Sequence, residues 1–490
     1  MVNDFRTMQI PQRLAVLLAR MKLSSTKIEE ASEHPLEDWV LNKVSMTARK
    51  EAGLRGIIGK RRPSEIDRQA LREYQLFKVR RMIEYTSENS LFYKKHWREH
   101  GIKASDIRTF EDLTKVPMTE PKELADAPND FLCVSQTKVM RAFTTSGTSG
   151  TRKRLFYTRD DVLNIVDSIA AALKDAGMTK ADTLQIMFPT IASWDPGLML
   201  EGACKVAGLN AVKASTVDIE AQLKTMRERK TTMMIGLTSF IYRITVLARE
   251  KEDLRAFGMK AIILSAEPLP EVMRHEIEEA WGCKALSQYG MTEMGLATTI
   301  ECRAHDGLHV NDADFLAEII DPETGEHVGN REEGELIWTS LSFQGSPLVR
   351  YRSYDISKMI EPPCGCGINA VGKIGKIKGR LDMQTKVGFG EKVYPLLFDE
   401  AVLSVRGVLG YQLFIEKAGY KDRLRFKVEY LGDKEEGRKG VEEALHKVDE
   451  IRSGLDNDLI EGPIVEVIAA NSEVYVPKTR TIVDLRTQYD

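Results

Sequence analysis

The sequence predicts an α/β protein, with a large N-terminal domain of mostly parallel sheet covered by helices and a small α+β C-terminal domain. Three observations carry that expectation. Between residues 158 and 265, strand-like apolar runs alternate with segments of helical spacing, and such alternation builds a parallel sheet with helices on its faces. At Gly379-Arg380-Leu381-Asp382 the composition shifts. Beyond that point, strand-like runs flank one helical stretch, which suits a small sheet covered on one side. A chain of 490 residues is long enough for more than one domain, and its 42% apolar share can fill their cores.

Taken in order, residues 1–65 read as a helical extension with mixed charge, an apolar cluster at Leu14, Val16, Leu17 and Leu18, and no chemical motif. The large domain is expected over 66–381. It opens with an amphipathic helix over 66–85, where Leu71, Tyr74, Leu76, Val79, Met82 and Ile83 recur at three- and four-residue steps. A strand over 139–143 follows. Thr158 and Asp161 can form a capping box for the next helix. Strands are then expected at 184–188, 211–217, 233–237 and 261–265, and helices at 198–207, 219–228 and 241–250. Two strands joined by a turn at 321–325 come next, then another strand over 332–339. The C-terminal domain, 382–490, should contain strands at 411–416, 424–430 and 464–469 and one helix over 440–452.

Composition narrows the function. A net charge of -3 with 29% charged residues leaves no basic excess to attract nucleic acid. No apolar run approaches the ~20 residues of a membrane span, and residues 1–13 lack a signal-peptide core, so a cytoplasmic protein is the default. Six cysteines in so long a chain do not look like a disulfide framework.

The most chemical stretch is Thr144-Thr145-Ser146-Gly147-Thr148-Ser149-Gly150-Thr151-Arg152-Lys153. Glycines let the backbone approach an anion, successive N–H groups form a nest, hydroxyls donate, and Lys153 adds charge. It therefore fits a phosphate, although a flexible surface loop has the same composition. The Gly-Lys pair of the nucleoside triphosphatase loop is absent. In parallel sheets, ligands gather beyond the carboxyl ends of strands, and two such ends carry candidates: Ser265-Ala266-Glu267-Pro268 and Gln288-Tyr289-Gly290-Met291-Thr292-Glu293. Tyr289 suits stacking on a base, Thr292 a phosphoryl oxygen and Glu293 a hard cation. The plain alternative for either carboxylate is a helix cap or a solvated loop. Separately, Cys302, His305 and His309 precede the short Cys364-Gly365-Cys366. Sulfur and imidazole ligands of this kind suit a closed, tetrahedral structural zinc, against isolated buried cysteines or a redox pair.

The loop resembles the Ser-Gly-Thr-Thr-Gly-x-Pro-Lys text of adenylate-forming ligases, with Ser149 and Arg152 as departures. Tyr351-Arg352-Ser353-Tyr354-Asp355, Gly379-Arg380-Leu381-Asp382 and Lys478-Thr479-Arg480-Thr481-Ile482-Val483-Asp484 follow in the order that family shows. The segment before the loop resembles the phenylacetate–coenzyme A ligase branch. The resemblance implies a two-step reaction, in which a carboxylate attacks ATP to give an acyl-adenylate and pyrophosphate, and a thiol then displaces AMP. It implies that Ser146, Gly147, Thr148, Ser149, Gly150 and Lys153 hold phosphates, with Thr148 and Glu293 among the catalytic groups and Glu293 holding magnesium. Ala266, Glu267 and Pro268 would lie against the adenine, with Tyr289, Gly290, Met291 and Thr292 opposite, while Asp355 would take the ribose hydroxyls and Arg380 would contact nucleotide. Lys478 falls on the catalytic lysine, and Asp382 on the hinge of a mobile C-terminal domain. Trp194 is the candidate for the acid pocket. Branch members carry a similar cysteine and histidine text, which selects Cys302, His309, Cys364 and Cys366 for zinc with His305 in reserve. The expected partners are a small-molecule carboxylic acid, aromatic or otherwise bulky, with ATP and coenzyme A; neither nucleic acid nor a membrane is expected, and a homodimer is left open.

Three departures bear on these expectations. Tyr354 stands where the family usually has glycine, Pro477 replaces another glycine, and residues 386–395 differ from the family's acceptor-side text. The acceptor-side departure keeps open an acyl-protein synthetase and a deazaflavin-coenzyme adenylyltransferase; a catalytically silent nucleotide-binding relative is the alternative from another class.

Overall fold

The computed structural model describes residues 23–29, 32–59, 61–145, 152–188, 196–296, 298–388, 390–470 and 480–486. The chain forms two units, residues 1–213 with 286–376, and residues 214–285 with 377–490.

In the first unit, the described part of the N-terminal extension packs into the body, while Leu14, Val16, Leu17 and Leu18 lie outside the described residues. The helix Pro35–Lys50 buries Trp39, Val40 and Val44 completely. Trp39 Nε1 donates to Asp167 Oδ2 at 2.9 Å, and the backbone N–H groups of Ser24 and Ser25 donate to the same carboxylate at 2.9 and 2.8 Å. A buried carboxylate with three donors is satisfied, so Asp167 acts as the anchor of the extension. Asp67 caps the amphipathic helix Arg68–Asn89 through Ala70 N, and Leu71, Tyr74, Val79 and Ile83 face inward. Strand Val139–Thr144 pairs antiparallel with Arg154–Thr158. Thr158 and Asp161 then close the expected reciprocal capping box on helix Arg159–Asp175. Thr183–Met187 and Asn210–Lys213 run parallel, with helix Pro196–Ala207 between them in sequence. The second of these strands stops at Lys213 rather than at 217 because the chain turns: Thr216 Oγ1 accepts from Asp218 N, and Asp218 caps the helix Ile219–Arg229.

The unit also holds a largely antiparallel sheet with neighbouring strands Phe315–Ile320, Glu333–Ser340, Tyr351–Ile360, Lys373–Ile374, Leu308–Val310 and Thr299–Glu301. Its long central strand, Tyr351–Ile360, carries Asp355.

In the second unit, Met233–Leu237 and Ala261–Ser265 pair in parallel, and Thr238–Ala248 and Glu271–Trp281 are the helices that follow them. A four-stranded sheet runs Ile460–Ala469, Lys421–Tyr430, Val408–Ala418, Thr481–Asp484, with its central pair antiparallel and its outer pairs parallel. Arg243 reaches Glu429 with both guanidinium branches, at 2.7 and 2.8 Å. The helix expected over 440–452 is two helices, Lys434–Leu445 and Asp449–Asp456. Among the described residues, no helix is long and apolar enough to cross a membrane.

Candidate functional site

Lys153 and Glu293, far apart in sequence, meet inside the first unit. Thr145 fixes the first of them: Thr145 N donates to Lys153 O at 2.9 Å, and Lys153 N donates to Thr145 Oγ1 at 3.0 Å. The ammonium then lies 2.8 Å from Glu293 Oε1. Tyr351 links the two, its phenol oxygen accepting from Lys153 Nζ at 3.2 Å and its O–H donating to Glu293 Oε1 at 3.1 Å. Lys153 is 8% exposed, Glu293 4% and Tyr351 0%, so each charge depends on its protein partners. Glu293 sits in the short turn Thr292–Met294, which Tyr157 holds by donating its phenol proton to Thr292 O at 2.5 Å.

The turn before it is equally constrained. Strand Lys284–Gln288 ends at Gln288, whose amide donates to Tyr289 O and Leu296 O, both at 2.8 Å. A Cβ on Gly290 would lie 1.7 Å from Leu296 O, so only glycine fits that close approach. Tyr289 stacks on Trp338, with centroids 6.3 Å apart and planes 19° apart, and donates to Asp355 Oδ2 at 2.6 Å. Met291 Sδ lies 3.8 Å from the same phenol oxygen.

A bulge aims Asp355. The register between Glu333–Ser340 and Tyr351–Ile360 shifts between Glu335 and Ile337. Opposite the shift, Tyr354 adopts φ +61°, a left-handed conformation that costs a non-glycine residue about 1–3 kcal/mol. The departure from glycine at this position therefore keeps the glycine-like backbone. Three contacts hold it: Tyr354 N to Glu335 Oε1 at 3.2 Å, Tyr354 Oη to Glu120 Oε2 at 2.8 Å, and Asp355 N to Ser353 Oγ at 3.0 Å. Bulges of this kind re-aim side chains, and Asp355 ends with its carboxylate 2.6 Å from the Tyr289 phenol.

The second unit contains the other described candidates. Ala266, at φ +66°, ends the strand Ala261–Ser265. Glu267 Oε2 accepts from Ser239 N at 2.7 Å, capping the helix Thr238–Ala248, and Pro268 O accepts from Arg480 at 3.1 Å. Arg380 grips Asp382 through two hydrogen bonds of 2.9 Å. Ser146, Gly147, Thr148, Ser149, Gly150, Trp194 and Lys478 lie outside the described residues.

A separate cluster gathers Cys302, His309, Cys364 and Cys366, all buried, with their ligand atoms within 4.8 Å of one another. Cys302 Sγ lies 3.8 Å from Cys364 Sγ, and Cys366 Sγ lies 3.5 Å from His309 Nε2. Burial pushes the His309 imidazole down to about 3, so it is neutral and carries a lone pair at ordinary pH. His305 turns elsewhere, placing Nδ1 3.5 Å from Glu301 Oε1. Lys373, 1% exposed, brings Nζ to 3.2 Å from Cys364 Sγ and 3.0 Å from Asp306.

Tyr351 was not singled out by the sequence reading, although it begins the Tyr351-Arg352-Ser353-Tyr354-Asp355 text. Contact with Lys153 and Glu293 is tertiary and has no local signature.

The AMP-binding enzyme family model matches residues 84–342, more than half of the chain. Phenylacetate-coenzyme A ligase of Pseudomonas putida is 29% identical over 365 residues, covering 74% of this chain and 82% of that protein. The enzyme of the same name from Thermus thermophilus is 28% identical over 372 residues, with 74% and 82% covered. Among solved structures, 2-hydroxyisobutyryl-CoA ligase in the postadenylation state with 2-HIB-AMP has a TM-score of 0.75 at 22% identity, covering 85% of this chain and 90% of that one. At that identity the likeness speaks for the fold. The motif order, the two-part α/β architecture and the family match agree: the chain belongs to the AMP-binding enzyme family.

Proposed function

We propose that the protein is an ATP-dependent acid–thiol ligase that converts a carboxylic acid to its acyl-adenylate and pyrophosphate, then passes the acyl group to coenzyme A with release of AMP. One observation carries the reading: the strand Tyr351–Ile360 bears both Asp355 and Tyr351, whose phenol touches the Lys153–Glu293 pair. The phenylacetate-coenzyme A ligases among the relatives support the thiol step.

In this reading Asp355 accepts from the ribose hydroxyls, one carboxylate oxygen for each, and Tyr289 lies beside the base with Trp338 behind it. Lys153 and the hydroxyls of Ser146, Thr148 and Ser149 donate to phosphate oxygens. Glu293 would hold a magnesium ion, whose charge offsets the repulsion between phosphates and acid. Lys478 neutralises the carboxylate and the developing charge at the α-phosphate. We place the domains at 1–65, 66–381 and 382–490, with Asp382 as the hinge, since Lys478 must leave before a thiol can enter. A cytoplasmic location belongs to the same proposal.

For the metal cluster we propose a structural zinc. Bonds of about 2.3 Å to sulfur and 2.0–2.1 Å to nitrogen give tetrahedral edges of about 3.8 Å between sulfurs and 3.5 Å between sulfur and nitrogen. Two of the separations, 3.8 and 3.5 Å, agree with those edges, and all four ligand atoms lie within 4.8 Å of one another. Three thiolates would leave the site one negative charge in excess, and the buried Lys373 ammonium offsets it. With four protein ligands no position is open for catalysis.

The assay is pyrophosphate release with a panel of carboxylic acids, ATP and magnesium. Acid-dependent release that continues to a thioester only with free coenzyme A is the expected result. Release without a coenzyme A requirement would point to a protein or deazaflavin acceptor, and no release with any acid would sink the ligase reading. Asp355→Ala should raise the KM for ATP about tenfold or more, the scale of hydrogen bonds to a charged group, and leave the KM for the acid nearly unchanged.

A further inference from the structure

The Lys153–Glu293 contact is an odd resting arrangement for two groups assigned to phosphate and to metal, since each occupies the charge the other would offer a ligand. Both side chains are at least nine-tenths buried. Removing one partner from such a pair leaves an uncompensated buried charge, at a cost of about 3–5 kcal/mol, or roughly a hundredfold or more in an equilibrium. A polyphosphate that draws Lys153 away must therefore bring a replacement cation to Glu293 in the same event. Tyr351 gives the exchange its geometry. Its O–H points at Glu293 Oε1 while its oxygen accepts from Lys153, so one phenol touches both charges at 3.1 and 3.2 Å. When the ammonium leaves, the O–H bond can persist and keep the carboxylate aimed. The Tyr351 ring is wholly buried and packed in the strand Tyr351–Ile360, so it cannot follow the ligand.

We propose that the Lys153–Glu293 pair is a charge plug exchanged only for a polyphosphate and a divalent cation together, and that Tyr351 is the positioning residue that holds Glu293 through the exchange. This rests on the nucleotide-site reading above and adds to it a coupling between metal and nucleotide, with the residue that enforces it. The plug keeps the empty site electrically neutral and disfavours metal-free nucleotide, which could not be turned over.

Equilibrium binding of ATP to the full chain, by titration calorimetry with magnesium and again with a chelator in its place, tests it without activity. The wild-type protein should bind the magnesium complex on the order of a hundredfold more tightly than free ATP. Tyr351→Phe should weaken only the magnesium complex, roughly tenfold, and raise the magnesium concentration needed for half-saturation. Glu293→Gln removes the plug's negative charge, so free ATP should bind more tightly than to wild type, a gain that misfolding does not produce. Equal wild-type affinity with and without magnesium overturns the proposal while leaving the nucleotide site standing. So does equal weakening of both forms by Tyr351→Phe, or no gain for Glu293→Gln. If the wild-type protein binds ATP under neither condition, the nucleotide-site reading falls and takes the plug with it.

Discussion

Cys364→Ser should abolish stoichiometric zinc and lower the melting temperature by on the order of 10 °C, the largest stability effect we expect from a single substitution. The argument runs from burial. Cys302, His309, Cys364 and Cys366 sit in the interior, just past one short strand, within a second and around a turn, so an ion held by all four would cross-link three segments. Binding energy at such a site is folding energy. Without metal the four ligands are no longer tied together: burial pushes the Cys302 thiol up, while the Cys366 backbone N–H and Lys373 hold the Cys364 thiol below its usual range against its burial. The loss should spread in a defined direction. Glu37 Oε1, on the helix Pro35–Lys50, accepts from Asn369 N at 2.9 Å and Ala370 N at 2.6 Å, and His34 packs where a Cβ on Gly367 would lie, 2.6 Å from its Nε2. Zinc content by elemental analysis, melting temperature with and without chelator, and hydrogen exchange over residues 35–50 and 361–373 are the measurements. A zinc-free wild-type protein that melts unchanged would remove the site from the account.

Periodicity carried the secondary structure wherever a segment's own sequence decided it. The strands Met233–Leu237 and Ala261–Ser265 lie where the apolar runs place them, and Thr158 with Asp161 caps its helix as their spacing implies. Periodicity failed where an apolar rhythm ran through a break. Val441, Leu445, Val448 and Ile451 keep a three- and four-residue step, yet Lys447 N and Val448 N bond to the third residue back, Ala444 O and Leu445 O, and end the first helix there. Val448 then becomes the residue before the next helix, so one apolar stripe serves two helices. The turns around Tyr289, Glu293 and Asp355 were legible because each is a short text at a strand end or bulge. What the chain does not announce is how they touch. Tyr289 to Asp355 and Lys153 to Glu293 join residues separated by long stretches of sequence, and Tyr354 conceals with a bulky side chain a backbone angle that glycine would have advertised. The described part of the N-terminal extension packs through Trp39 and the Asp167 carboxylate, contacts that carry no local motif.

Lys478→Ala should cut acid-dependent pyrophosphate exchange by about 10²–10³-fold, the scale of losing one preorganised donor to developing charge, while thioester formation from a supplied acyl-adenylate stays within a few-fold of wild type. The asymmetry follows from when charge must be neutralised. Adenylation brings a carboxylate against a triphosphate, so a cation is needed at the collision; the thiol step starts from a mixed anhydride, the acyl-adenylate, whose AMP is already a good leaving group. Lys478 is two positions from Arg480, whose guanidinium is paired with Asp399 at 2.7 Å and also donates to Pro268 O at 3.1 Å. Asp399 in turn accepts from Tyr411 at 2.9 Å. Breaking this anchor should affect both half-reactions, because Arg480→Ala leaves Asp399 buried without its countercharge and loosens the lead into strand Thr481–Asp484. The pair of variants therefore separates chemistry from architecture. Exchange lost and thioester formation kept in Lys478→Ala, with both reduced and the melting temperature lowered in Arg480→Ala, is the expected pattern. Equal loss of both steps in Lys478→Ala, at an unchanged melting temperature, would deny that lysine its exclusive part in the first step and make the rotation at Asp382 unnecessary.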